Sequence, residues 1–152
     1  MPEMEPFELD DALRTGVAEM DQQHRILIGT LRELEARRNE PHLRRRQYDR
    51  VVHDMLAYAI YHFASEEELM KRYAYDRLEP EQAKRHIEQH RAFSQRMVEL
   101  HARAERDKSG TQAELLGFLR DWLVNHIAGT DRCLGEFIRA RTAPAPGGEA
   151  PH

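Results

Sequence analysis

The chain has 152 residues, 40% of them hydrophobic and 33% charged, enough for one domain with a buried core and a wet exterior. Its 23 basic and 27 acidic residues are interspersed and leave a net charge of −4, which argues against nucleic acid or an anionic membrane as the main partner. No apolar run approaches the roughly 20 residues of a spanning helix, the start lacks the pattern of a secretory signal, and the single Cys133 cannot close an internal disulfide, so the expected compartment is the cytoplasm.

Taken in order, residues 1–20 hold two prolines and the pair Thr15-Gly16 without useful helical periodicity, and predict an extended arm that packs across the domain through Phe7, Leu9 and Leu13. Asp21 is the expected N-cap of a first helix over 21–39. That helix carries His24, then Leu27, Ile28, Leu31 and Leu34 at helical spacing, and stops before Pro41. The Arg44-Arg45-Arg46 run reads as a solvated face at the start of a second helix, over 44–73. Its seam is Tyr48, Val52, Met55, Ala59, His62, Glu66, Leu69 and Tyr73, alternating steps of four and three as in a bundle. After a break over 74–80, Pro80 opens a third helix, over 80–106, whose inner face is His86, His90, Phe93, Met97 and Leu100. Thr111 and Glu114 form a capping-box pattern for the fourth, over 112–140, with the stripe Leu115, Leu119, Trp122, His126, Thr130, Leu134 and Phe137. The predicted fold is all-α, an up-down-up-down antiparallel four-helix bundle over residues 1–140. Residues 141–152, rich in Pro, Gly and Ala, predict a disordered tail.

Four of these helices carry groups that cost several kcal/mol apiece to bury unpaired. His62 and Glu66 stand at i and i+4 on one helix, and His86 and His90 repeat that spacing on another, so each pair aims at one point. His24 and His126 add one imidazole each. Asp131 lies five residues beyond His126, about 140° around an ideal helix, and reaches the same point only sideways or through a local π-type bulge. His42, His53, His101 and His152 belong to no such pair. Five imidazoles and two carboxylates without thiolate suit iron or another first-row divalent ion, and seven ligands are too many for one. With two bridging carboxylates and a bridging hydroxide, two six-coordinate irons are filled except for a single open position. Two carboxylates also stabilise high-valent iron less than the four of ferritin-like sites, which favours reversible dioxygen binding over O–O cleavage.

The motifs Thr15-Gly16-Val17, Asp21-Gln22-Gln23-His24, His62-Phe63-Ala64-Ser65-Glu66, His86-Ile87-Glu88-Gln89-His90 and Trp122-Leu123-Val124-Asn125-His126-Ile127 with Asp131 make the chain resemble the hemerythrins, specifically the single-domain bacterial form. The resemblance runs from about Phe7 to Ile138. It implies that His86, His90 and His126 complete one iron, that His24 and His62 serve the other, and that Glu66 and Asp131 bridge both with an oxo or hydroxo group. It further implies dioxygen as ligand at the two-histidine iron, in a pocket of Leu27, Phe63, Trp122, Leu123 and Ile127. The segment from Tyr75 to His86 is longer than the bacterial pattern, Asp76 replaces a proline, Leu134 a tyrosine and Phe7 a tryptophan. An oxygen carrier, store or delivery protein without dedicated catalytic residues is expected. The alternatives are an oxygen or redox sensor acting through a partner, and a di-iron enzyme reducing peroxide or nitric oxide.

Overall fold

The computed structural model describes residues 13–37, 45–106 and 111–142. The expectations for Phe7, Leu9, Pro41, the arginine run, the Tyr48 side chain, the Thr111 cap and the tail beyond residue 142 concern residues or side chains outside that range. The described chain is helical and contains no strand. Helix α1 spans Ala18–Arg37, α2 Arg45–Arg72, a short α3 Tyr75–Leu78 and α4 Pro80–Arg106. The last rod is α5, Thr111–Asn125, then a π-helical segment, His126–Asp131, then α6, Arg132–Thr142.

Asp21 is not the N-cap of α1, which begins at Ala18. Its carboxylate sits inside the first turn and reaches back, accepting hydrogen bonds from the Thr15 N–H (2.9 Å), the Thr15 hydroxyl (2.8 Å) and the Gly16 N–H (3.2 Å). The donors lie in the segment before the helix, so the carboxylate ties the arm to the first turn instead of capping it. Gly16 takes φ +86°, and Gly135 on α6 lets Thr15 approach so closely that a Cβ there would lie 2.6 Å from the Thr15 carbonyl oxygen. Leu13 packs against the core, as expected of the arm.

The seams fold inward as their spacing requires. Leu27, Ile28, Leu31 and Leu34 of α1, Val52, Met55, Ala59 and Leu69 of α2, Phe93, Met97 and Leu100 of α4, and Leu115, Leu119 and Leu134 of the last rod are all buried. They form two apolar clusters. The larger holds the Leu27-to-Leu34 face with Phe63, Phe93 and Leu123, and the smaller holds Met20, Leu69, Met70, Tyr75, Ala83, Leu134 and Ile138. Each rod passes from one cluster to the other through its ionisable residues, so those residues make a polar layer between two apolar ones. The long segment before His86 becomes α3, whose Tyr75 is buried and donates from its hydroxyl to Gln82 Oε1 at 3.0 Å, closing the smaller cluster. No helix among the described residues is long and apolar enough to cross a membrane.

Candidate metal centre

Seven residues that the sequence singles out, His24, His62, Glu66, His86, His90, His126 and Asp131, meet in this layer, each between 0% and 4% exposed. The i, i+4 spacings on α2 and α4 do the aiming for four of them. For Asp131 the π-helical segment decides between the two routes open to it: i→i+5 hydrogen bonding winds five residues into about one turn, and Asp131 Oδ1 lies 3.0 Å from His126 Nε2.

The carboxylates divide the imidazoles into two groups. Glu66 Oε1 faces His86 Nε2 (3.2 Å) and His90 Nε2 (3.0 Å), and Asp131 Oδ1 faces His86 Nε2 (2.9 Å) and His126 Nε2. Glu66 Oε2 faces His24 Nε2 (3.2 Å) and His62 Nε2 (3.1 Å), and Asp131 Oδ2 faces His24 Nε2 (2.9 Å). Two donor sets follow: Glu66, His86, His90, His126 and Asp131 in one, His24, His62, Glu66 and Asp131 in the other, with both carboxylates shared.

A cation fits these sets on the structure's own terms. Both Asp131 oxygens and His126 Nε2 are buried and make no hydrogen bond, although they approach one another at ion-pair distance. Glu66 is hydrogen-bonded to the rings of His24, His86 and His90, whereas the Asp131 oxygens face ring nitrogens without making a hydrogen bond to any of them. Donors about 2.1 Å from one ion and at right angles around it stand about 3.0 Å apart, close to the separations found here.

The outer contacts orient the rings. His62 Nδ1–H donates to Gln23 Oε1 at 2.6 Å, and His126 Nδ1–H donates to Gln89 Oε1 at 2.6 Å. His90 Nδ1–H donates to Glu67 Oε2 at 3.1 Å. Each bond places the proton on Nδ1 and leaves the Nε2 lone pair facing inward. Thr130 supports Gln89 from its hydroxyl at 2.9 Å, and Ser65 accepts from Gln23 Nε2 at 3.1 Å. Sequence reasoning missed this layer. Each glutamine bonds a histidine of a different helix, so no local spacing in the sequence marks the pair.

Burial alone would lower the His24 and His86 imidazoles, but the Asp131 and Glu66 carboxylates override it and raise them to about 10 and about 9. At His126 burial wins and the shift is downward. Burial favours neutral forms of Glu66 and Asp131, yet His62 foremost for the one and His126 for the other hold both below the usual carboxylate range. Protons thus balance the buried carboxylates where cations would otherwise do so.

The hemerythrin HHE cation binding domain family matches residues 15–138, which include all seven residues. The chain belongs to the hemerythrin family. A bacteriohemerythrin of Stenotrophomonas maltophilia (strain R551-3) is 31% identical over 130 residues, covering 86% of this chain and 80% of its own. One from Pseudomonas aeruginosa (strain LESB58) is 30% identical over 130 residues, with 85% and 79% covered. A hemerythrin-like protein of Naegleria gruberi is 28% identical over 126 residues, with 83% and 88% covered. For a hemerythrin domain, a buried set of His, Glu and Asp able to hold a metal points to non-haem iron. Of the residues expected to line a pocket, two touch histidines of this set and the other three lie in the neighbouring apolar cluster. Leu27, Phe63, Leu123 and Ile127 are buried in the larger apolar cluster and half-buried Trp122 packs on it. Phe63 stacks on His90 with centroids 4.0 Å apart, and Trp122 on His126 at 4.2 Å, so both aromatic planes rest on histidines of the five-donor set.

Proposed function

We propose that the two donor sets hold one iron ion each, bridged by Glu66, Asp131 and an oxo or hydroxo group, and that the four-donor iron takes up dioxygen reversibly. The chain is then an oxygen carrier, store or delivery protein, with no catalytic turnover. The observation that carries this reading is the division of each carboxylate, one oxygen toward each set. If each ion took six ligands and the two shared an oxygen bridge, the five-donor set would fill its ion and the four-donor set would leave one position for a diatomic ligand. When bound, two ferrous ions would supply the two electrons that dioxygen takes up on binding and returns on release. Gln23, Gln89 and Glu67 hold imidazoles with Nε2 inward. Leu27, Leu123 and Ile127, with Phe63 and Trp122, exclude water, since small apolar cavities stay dry. Dryness matters because water brings both a proton and a competing ligand.

The test is to reduce the iron-loaded protein anaerobically, admit air, and follow the visible spectrum through repeated deoxygenation. Colour that appears with air and disappears under argon over several cycles supports the proposal. Irreversible bleaching with turnover of peroxide or nitric oxide overturns it in favour of an enzyme.

A further inference from the structure

A directional hydrogen-bond chain links the protein surface to the four-donor set. His62 donates from Nδ1 to Gln23 Oε1 at 2.6 Å, Gln23 donates from Nε2 to Ser65 Oγ at 3.1 Å, and Ser65 donates from Oγ to the exposed Glu19 carboxylate at 3.0 Å. Every donor points outward. The negative end therefore stands at the surface and each link polarises the one before it. The amide in the middle decides what the chain can carry. Passing a proton would require Gln23 to become an imidic acid, whereas its fixed carbonyl acceptor and amino donor transmit orientation and polarisation with no proton moved.

The other glutamine is placed alike but ends differently. Gln89 Oε1 also receives a ring N–H at 2.6 Å, but its second donor is the neutral Thr130 hydroxyl. In the five-donor set the carboxylate partner is instead Glu67, directly on His90. Glu19 is thus joined to the four-donor set through two neutral side chains.

We propose that Glu19, acting through Ser65 and Gln23, is a positioning residue for His62: it locks the tautomer that turns Nε2 inward and strengthens His62 as a donor to the four-donor ion. This rests on the two-ion reading above. It makes the affinity of one site adjustable from an exposed residue that touches no ligand.

The experiment is an anaerobic titration of the metal-free full chain with cobalt(II), whose visible absorption reports each binding step. Direct outer partners of a metal-bound imidazole are worth about 10- to 100-fold in affinity. One and two links further out, Ser65→Ala and Glu19→Gln are expected to weaken one of two steps by about three- to tenfold, shift that step's absorption band, and leave the other step unchanged. The unchanged second step in Ser65→Ala separates a lost link from unfolding, which would weaken both steps together. Adding Gln23→Glu to Ser65→Ala puts a carboxylate directly on His62, as Glu67 stands on His90, and is expected to restore the weakened step. Equal weakening of both steps, no change in either, or no rescue overturns the proposal. A wild-type chain that takes up a single cobalt overturns the two-ion reading instead, and the same variants then test Glu19 on that one step.

Discussion

Asp131 and Glu66 carry more of the centre than any other residues, because each turns one oxygen toward one donor set and its other oxygen toward the second. Loss of either is felt twice. Glu66→Ala and Asp131→Ala are therefore expected to strip iron from both sites, while His101→Ala, on α4 away from the seven, leaves iron content and spectrum as they are; elemental analysis of the purified variants decides. Equal iron loss in His101→Ala would mean that the ligand set is misassigned. Leu27 tests the dry wall. It is 1% exposed and one helical turn from His24, and Leu27→Ser is expected to speed autoxidation with two irons still bound. If Leu27 only fills the core, the change lowers stability by about 2–4 kcal/mol and the decay rate of the oxygenated spectrum in the folded molecules stays the same.

Among the elements, the three- and four-residue seams were legible in the sequence because the helical period is local physics, and Val52, Met55, Ala59, Phe93, Met97 and Leu100 all lie where that period puts them. The i+5 spacing of His126 and Asp131 revealed an anomaly, and the π-helical segment is its resolution. Two things were not legible. Asp21 has the chemistry of an N-cap, and nothing local distinguishes a cap from a first-turn carboxylate that reaches back to Thr15 and Gly16. The partners of the imidazoles lie on other helices, as Gln23 does for His62 across 39 residues of sequence, so only the assembled bundle pairs them. The connections carry predictions of their own. Ala74, in the turn between α2 and α3, takes φ +61°, a left-handed conformation that costs a residue with a Cβ about 1–2 kcal/mol. Ala74→Gly is expected to raise stability by about 1 kcal/mol, whereas Gly135→Ala, which drives a Cβ into Thr15, lowers it by about 1–3 kcal/mol. Urea unfolding measures both, and a stabilised Gly135→Ala would mean that the arm does not pack on α6.

At the scale of the molecule, a layer of ionisable groups lies between two apolar clusters and must be neutralised by protons or by cations. His24 and His86, raised from 6.5 to about 10 and about 9, bind protons more tightly folded than unfolded. Their contribution to the stability of the metal-free protein is therefore complete below about pH 6.5 and is lost as pH rises through about 9 to 10. Cations replace those protons, so loading the centre releases protons and removes this sensitivity. The melting temperature of the chelated protein is expected to fall between pH 7 and pH 10, and that of the metal-loaded protein to change less; parallel curves would show that the buried imidazoles hold no protons. The central claim, that the polar layer is a centre for two bridged irons, is tested most directly by iron per chain after aerobic reconstitution of the full-length protein offered iron and zinc together. The arrangement of Glu66 and Asp131 predicts about two irons per chain. A value near one, or zinc retained in preference to iron, would contradict it.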